Sequence, residues 1–212
     1  MVILFGGEKG GTGKTTLATN LAAFLATQDM DVLLVDIDPQ GSSATWANTR
    51  WQYSLRPLIP CVQISGDISR QIWKHNNKHE YIVIDAGGGD TAELQSALRT
   101  ADVFCMPIKP SQLDLWTVQR MDELRVETLG VNGDMETYAI LSMVPANPAL
   151  NEAGDTVAAL QSYPGILIAP VLIQDRKSYR DAARVGKSVA EIGDPRASRE
   201  ILQLASFIFG IE

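Results

Sequence analysis

A glycine-rich loop that follows an apolar N-terminal run constrains this chain more than any other feature. Residues 2–5 are Val-Ile-Leu-Phe, and residues 7–16 read Gly-Glu-Lys-Gly-Gly-Thr-Gly-Lys-Thr-Thr. Apolar residues recur at helical spacing directly afterwards, over residues 17–25. A glycine-rich turn between a buried strand and a helix aims several backbone N–H groups and the helix dipole at one point. This order therefore predicts a site for phosphate groups.

The loop departs from the common phosphate-binding spacing G-x-x-x-x-G-K-[ST], because Glu8 stands where the first glycine belongs. It carries instead a second lysine, Lys9, before two glycines. We assign Lys14 to the β- and γ-phosphates of ATP and the Thr15 hydroxyl to Mg²⁺. The predicted nucleotide contacts in the loop are Lys9, Gly10, Gly11, Thr12, Gly13, Lys14, Thr15 and Thr16. A bare turn with two solvated lysines is the alternative. A dinucleotide site is disfavoured, because Thr16 replaces the third glycine of G-x-G-x-x-G.

Acidic residues at two further strand ends extend this hypothesis. Asp36 and Asp38 follow an apolar run, and alternation within a strand puts both on one side. One of them can hold Mg²⁺ and its water shell while the other positions an attacking water. Asp85 ends a third apolar run, and the glycine-rich residues 86–90 after it suit a nucleotide-sensing switch. A turn with a helix cap at 38–41 and a plain loop at 86–90 are the alternatives.

The arrangement of apolar runs predicts an α/β fold. Candidate strands near 2–6, 31–37, 80–86, 102–108, 136–144 and 166–172 alternate with helical patterns. We expect a single-domain, mostly parallel, twisted sheet flanked by helices on both faces, with ligands at the carboxyl ends of the strands. Asp114 is predicted to cap one of the helices. The domain is expected to span residues 1–212 with no N-terminal helix-turn-helix domain, in a cytoplasmic protein without a membrane span.

Three motifs, in this order and spacing, resemble the deviant Walker ATPases of the ParA/MinD family, which are P-loop NTPases. The motifs are K-G-G-T-G-K-T-T at 9–16, D-I-D-P-Q-G at 36–41 and I-V-I-D at 82–85. The strand and loop at 106–114 are also similar to that family. The short length and the start directly at the first strand are most like the small ParF-type plasmid partition ATPases. The likeness is dense up to about residue 115 and looser afterwards.

The resemblance implies a cycle in which two ATP-bound monomers form a face-to-face homodimer and hydrolysis separates them. It implies that Lys9 reaches the phosphates of the other subunit, that Lys14 acts beside it, and that Asp38 orients the hydrolytic water. Asp36 and Asp85 would then lie near Mg²⁺ with Thr15, and Asn147 near the adenine. It further implies slow intrinsic hydrolysis, stimulated by a centromere-binding adaptor protein. DNA segregation is thus the first functional hypothesis, and positioning of another cargo, as by MinD on membranes or on protein complexes, is the alternative.

The formal net charge of -7 argues against nucleic-acid binding over the whole surface, so DNA contact requires a local patch. The stretch 176–187 has five positive charges and one negative charge. We assign non-specific, nucleoid-associated DNA binding to Arg176, Lys177, Arg180, Arg184 and Lys187. Pairing two patches by dimerisation would make this binding depend on ATP. A solvated helix face is the alternative.

Other features favour packing over chemistry. The four tryptophans are interpreted as core or interface anchors rather than base-stacking groups. Cys61 and Cys105 are expected to pack in the core, with no partners for an iron–sulfur cluster, which argues against a reductase. His75 and His79 have helical metal spacing but lie in a segment that suits a fraying helix end. Residues 201–212 contain no lysine or arginine, which argues against a basic amphipathic membrane helix.

Overall fold

The computed structural model describes residues 1–145 and 152–211, and in these ranges the chain forms one α/β layered fold. The strands are β1 (Val2–Phe5), β2 (Val32–Asp36), β3 (Cys61–Gln63), β4 (Tyr81–Asp85), β5 (Val103–Ile108), β6 (Glu136–Val144) and β7 (Leu167–Gln174). The helices are α1 (Lys14–Thr27), α2 (Ser42–Gln52), α3 (Ser69–Asn76), α4 (Ala92–Leu98), α5 (Gln112–Leu129), α6 (Glu152–Leu160), α7 (Lys177–Arg184) and α8 (Pro195–Phe209).

The strands form one sheet in the order β3-β2-β4-β1-β5-β6-β7, and each neighbouring pair is parallel. β1 is central, and its last residue, Phe5, pairs with Asp85 on one side and Cys105 on the other. Asp36 in turn pairs with Asp85. The register therefore brings the glycine-rich loop and two of the predicted acidic residues to the same edge of the sheet. The predicted fold class is confirmed.

Each central strand contributes to two cores, because successive side chains of a strand point to opposite faces. Ile3 and Phe5 pack in a cluster beneath α1, α2 and α8, whereas Val2 and Leu4 pack in a cluster beneath α3, α4 and α5. β4 alternates in the same way. Strands that are buried on both faces read as continuous apolar runs, which is why they were recognisable in the sequence.

Helix α1 positions the loop that precedes it. Its apolar positions Leu17 and Leu21 are fully buried, and the helix begins after Gly13, whose φ of 97° lies in the left-handed region. No acidic residue occupies the first turn of α1, so the free N–H groups of that turn have no carboxylate partner within the helix. The N-terminus of α1 thus offers its dipole and its N–H groups to an anion.

The structure differs from the predictions at several individual positions. β3 was not predicted, because a three-residue strand at a sheet edge is too short to show a period. Asp114 is not a helix cap: Ser111 is the N-cap of α5, and its Oγ accepts a hydrogen bond from the Asp114 N–H at 3.2 Å. Of the four tryptophans, Trp46 is a core residue at 4% exposure, whereas the other three are exposed, and for them an interface role stays a prediction.

The two cysteines lie in the core of the sheet or packed against it. Cys105 is fully buried and Cys61 is half-buried, and burial raises the pKa of the Cys61 thiol to about 12. Within residues 1–145 and 152–211, no three metal-ligating side chains come together around His75 and His79 or elsewhere. In the same ranges, no helix is both long enough and apolar enough to cross a bilayer.

Candidate nucleotide-binding site

The glycine-rich loop needs glycine at two of its positions. Gly11 and Gly13 have φ of 72° and 97°, where a side chain is strained. A Cβ on Gly13 would also stand 2.8 Å from the Ser142 Oγ, at the end of β6. The loop therefore approaches the sheet edge more closely than any residue with a side chain would permit, and its backbone N–H groups stay open to the cleft.

Lys14 lies on the floor of this cleft. Its side chain is buried, and its Nζ donates a hydrogen bond to the Lys9 carbonyl at 2.7 Å. Burial lowers the pKa of the Lys14 ammonium, and the nearby carboxylates of Asp85 and Asp38 oppose that effect. A cation held in this way lacks a complete set of partners, so a bound phosphate would stabilise it.

Asp85, at the end of β4, is fully buried. Its Oδ2 accepts a hydrogen bond from the Ser43 Oγ at 2.7 Å, while its Oδ1 has no hydrogen-bond partner. Burial raises the pKa of Asp85 to about 7, although hydrogen bonds from Ser43 and Thr15 oppose that effect. A buried carboxylate oxygen without a partner, beside a threonine hydroxyl, fits the hydrated shell of a Mg²⁺ ion.

Both carboxylate oxygens of Asp36 accept hydrogen bonds from backbone N–H groups of the following loop and helix. Its Oδ1 accepts from the Asp38 N–H at 3.0 Å, and its Oδ2 accepts from the Ala44 N–H at 2.8 Å. Burial nevertheless raises the pKa of Asp36. Asp36 thus anchors the start of α2 through both of its carboxylate oxygens.

Asp38 faces the cleft from the loop between β2 and α2. Its Oδ1 accepts from the Gln40 N–H at 2.9 Å, and a Cβ on Gly87 would lie 3.2 Å from the Asp38 carboxyl carbon. A Cβ on Gly88 would lie 3.1 Å from the Gly10 backbone nitrogen. The glycine-rich segment after β4 therefore packs against both the phosphate loop and Asp38. A segment in this position suits a switch that responds to the phosphates of a bound nucleotide.

Lys9 points away from the floor of the cleft. Its Nζ lies 2.9 Å from Asp114 Oδ2, and the Lys9 side chain is 39% exposed whereas that of Asp114 is 4% exposed. The Ser111 hydroxyl also donates to the same carboxylate oxygen. The two lysines of the loop thus occupy different environments, one inside the cleft and one at its outer rim, tied to α5.

The far wall of the cleft was not predicted. Met143, Gln174, Asp175 and Tyr179 line it, from the ends of β6 and β7 and from α7. The rule that ligands bind at the carboxyl ends of parallel strands would have included β7, had its end been placed at residue 174 rather than 172. The predicted adenine contact Asn147 lies outside the described residues.

The five basic residues assigned to DNA have unequal surroundings. Arg176 pairs with Glu200 at 2.7 Å, Lys177 pairs with Asp181 at 3.2 Å, and Arg180 pairs with Asp175. Arg176 and Arg180 also line the nucleotide cleft. Arg184 and Lys187 have no acidic partner among the described residues. The stretch therefore presents two unpaired cations rather than five, and its role in DNA binding stays a prediction.

Comparisons with known proteins agree with this geometry. A sequence profile described as the CobQ/CobB/MinD/ParA nucleotide binding domain matches residues 3–210. The Maintenance of carboxysome distribution protein A of Halothiobacillus neapolitanus is 27% identical over 186 residues, which cover 87% of this chain and 84% of that protein. Protein ParA of Rhizobium radiobacter is 29% identical over 180 residues, which cover 84% of this chain and 80% of that protein.

Solved structures show the same fold. A Cyanothece McdA variant in complex with ATP has a TM-score of 0.79 at 20% identity, covering 100% of this chain and 96% of that one. The cell division ATPase MinD of Pyrococcus furiosus has a TM-score of 0.75 at 14% identity, covering 100% and 99%. Carboxysome-distribution and partition proteins both occur among these matches, so the comparisons do not single out the ParF-type subgroup.

Proposed function

This chain belongs to the CobQ/CobB/MinD/ParA nucleotide-binding domain family, and from that premise we propose that it is a slow, Mg²⁺-dependent positioning ATPase. It dimerises when ATP is bound, associates with DNA without sequence preference, and distributes a protein-complex cargo. An adaptor protein on the cargo stimulates hydrolysis and so releases the dimer.

The contrast between the two lysines of the loop carries this proposal. Lys14 is buried at the floor of the cleft, while Lys9 is 39% exposed at its rim. A single nucleotide needs only the first of them within its own subunit. The second is available to a nucleotide held by another copy of the chain, which makes dimerisation part of the chemistry.

The remaining residues divide the work of phosphoryl transfer. The N–H groups of the loop and Lys14 bind the phosphates, and Thr15, Asp85 and, less directly, Asp36 would hold the metal shell. Mg²⁺ supplies charge neutralisation at the β- and γ-phosphates. Asp38, half-buried beside Gly87, accepts a hydrogen bond from the attacking water and so orients it.

The nature of the cargo is inferred from the relatives. The similarity to a carboxysome-distribution protein over 87% of this chain favours a protein assembly as cargo. The similarity to a ParA protein favours a second candidate, plasmid or chromosome segregation with a centromere-binding adaptor. Both candidates use the same nucleotide cycle, so they differ only in the partner.

Lys9→Ala and Lys14→Ala test the cycle. We expect Lys14→Ala to lose nucleotide binding, measured by calorimetry, because the phosphates lose their buried cation. We expect Lys9→Ala to bind nucleotide normally but to fail to dimerise with ATP, measured by light scattering, and to lose turnover. Normal turnover by Lys9→Ala would contradict the dimer, and normal binding by Lys14→Ala would contradict the site.

Deleting the gene tests the cargo. Under the first candidate, large protein assemblies labelled with a fluorescent protein cluster in the mutant cells while plasmids and chromosomes are inherited normally. Under the second, plasmid or chromosome loss rises and the assemblies stay evenly spaced. Neither phenotype in a strain that lacks the protein would contradict a positioning role.

A further inference from the structure

Three segments that are distant in sequence converge on one buried guanidinium group. Arg50, near the end of α2, is 1% exposed. Its Nε donates to the Pro57 carbonyl at 2.8 Å, and its Nη1 donates to the Gly186 carbonyl at 3.1 Å. Nη1 and Nη2 also donate to the Glu191 carboxylate at 2.9 and 2.7 Å. The end of α2, the turn after it and the turn after α7 are therefore held side by side.

The contact between these segments is close. Gly186 has a φ of 67°, and a Cβ there would stand 2.5 Å from the Arg50 backbone nitrogen. The Trp46 indole N–H also donates to the Lys187 carbonyl at 3.2 Å. Residues that follow Arg50 and residues around Gly186 consequently share one stretch of surface.

This stretch is positively charged in an otherwise acidic protein. Between Asp38 and Asp67 the sequence contains no aspartate or glutamate, although the chain has a net charge of -7. The charge of Arg50 is neutralised by Glu191. Arg56 is exposed, and like Arg184 and Lys187 it has no acidic partner among the described residues. Three unpaired cations thus lie on the converging segments.

Two large aromatic side chains lie on the segment between Arg50 and Arg56. Trp51 is 66% exposed and Tyr53 is 62% exposed, and they directly follow Arg50. Their indole N–H and phenol O–H are hydrogen-bond donors, and their rings are flat apolar surfaces that can lie on sugars. Donors and cations together are the groups that hold a nucleic-acid backbone without reading its bases.

We propose that this aromatic–basic surface, made of Trp51, Tyr53, Arg56, Arg184 and Lys187, binds the backbone of duplex DNA. The inference rests on the proposed function, and it replaces the linear stretch 176–187 by a surface built from three segments. Cations release counterions from the phosphates, and the Trp51 and Tyr53 donors fix the orientation of the backbone. Binding of this kind is independent of base sequence.

The surface is also connected to the nucleotide site. Helix α2 begins where Asp36 accepts from the Ala44 N–H and Asp85 accepts from the Ser43 hydroxyl. The same helix ends at the Arg50 anchor. The acidic residues of the cleft and the proposed DNA surface therefore contact opposite ends of the same helix.

The test compares ATP-dependent retention of a random-sequence duplex by the full-length protein and two variants. We expect the triple variant Arg56→Ala/Arg184→Ala/Lys187→Ala to bind DNA at least about tenfold more weakly. We also expect the salt slope, that is, the slope of log Kd against log salt concentration, to fall by about three. We expect Trp51→Ala/Tyr53→Ala to weaken binding about tenfold with an unchanged salt slope. ATP turnover and thermal melting of each variant establish that it is folded.

Matched control variants come from the opposite face of the sheet and from α7. Trp73 is 69% exposed on α3, so Trp73→Ala and Lys74→Ala/Lys78→Ala remove comparable groups elsewhere. Lys177→Ala removes a paired cation close to the surface. We expect all three to bind DNA within about twofold of the wild type. The first two lie on the opposite face of the sheet, and the third removes a cation that Asp181 already pairs with.

Four results would overturn the inference. If the wild type retains DNA with ATP and both surface variants do so equally well, the surface is wrong while the proposed function stands. If the wild type does not retain DNA at all, the DNA part of the proposed function is wrong. Tighter binding of single strands than of duplex would indicate base stacking instead. Loss of binding to anionic phospholipid vesicles, with DNA binding intact, would indicate a membrane surface.

Discussion

The Lys9 ammonium lies 2.9 Å from the Asp114 carboxylate, so an ion pair ties the phosphate loop to the first turn of α5. The Lys9 side chain is 39% exposed, whereas that of Asp114 is 4% exposed. The remaining oxygen of Asp114, Oδ1, has no hydrogen-bond partner. In the proposed dimer, Lys9 would have to leave this partner before reaching a nucleotide in a second subunit, and the pair would then oppose dimerisation.

Replacing Asp114 by asparagine removes this opposition. We expect Asp114→Asn to dimerise at lower ATP concentration than the wild type, by several-fold, because Lys9 no longer leaves a carboxylate. The stability cost should be about 1 kcal/mol, since one partner is partly exposed. Light scattering against ATP concentration measures the shift. Asp122→Asn, which breaks an Arg125 pair on the same helix, should leave the curve unchanged; a weaker dimer in Asp114→Asn would contradict the argument.

Asp85 predicts a pH dependence of stability. Its pKa is raised from 3.8 to about 7, chiefly by burial. Between these values the folded protein holds a proton that the unfolded chain has lost, so the free energy of unfolding falls as pH rises through this window. The loss amounts to a few kcal/mol at most. Asp85→Asn has no such ionisation and should gain stability relative to the wild type between about pH 5 and about pH 8.

Urea unfolding of the nucleotide-free protein with a chelator present measures this difference. Asp67→Asn is the control, because Asp67 is exposed on a loop and its pKa is lowered rather than raised, mainly by the Ser69 side chain. A stability difference between Asp85→Asn and the wild type that shrinks as pH rises would contradict the assigned direction.

Gly186 should not tolerate a side chain. Its φ of 67° is strained for other residues, and its Cβ would overlap the Arg50 backbone, which cannot move aside as a side chain could. Gly193 has a φ of 79° but open space around it. We expect Gly193→Ala to lower the free energy of unfolding by about 1 kcal/mol, because only the backbone is strained. Gly186→Ala should lower it by about 2 kcal/mol more, because a Cβ there also overlaps Arg50. Equal losses of unfolding free energy for the two variants, measured by denaturant unfolding, would show that Gly186 does not pack closely against Arg50.

Arg50 should be important for stability although it is charged. Arg50→Met leaves Glu191, whose side chain is 17% exposed, without its cationic partner. It also removes the arginine donor to the carbonyls of Pro57 and Gly186. We expect a loss of about 3 kcal/mol in the free energy of unfolding. Arg70→Met, at an exposed position on α3, should change it by less than about 0.5 kcal/mol. A loss below 1 kcal/mol in Arg50→Met would contradict a structural anchor.

The sequence was sufficient for the fold class, since strands buried on both faces appear as apolar runs and the glycine loop must lie between a strand and a helix. It also placed Lys14 at a helix start and Asp85 at a strand end, because these positions follow from local order, while their roles stay predictions. β3 was missed because residues 61–63 form a strand by pairing with β2 and not through any local pattern. Likewise, the partners of Asp36 are N–H groups of a loop and a helix start, and only their folded positions reveal them.

Long-range contacts decided the rest. From the sequence, Lys9 and Lys14 could be recognised as two lysines of one loop. Only the packing of α5 against that loop showed that Lys9 pairs with Asp114, which lies 105 residues further along the chain. The charges of 176–187 were countable from the sequence, whereas their neutralisation by Glu200 and other acids was not. Local order is encoded in neighbouring residues, while ion pairs and shared surfaces depend on how distant segments pack, which a linear pattern does not specify.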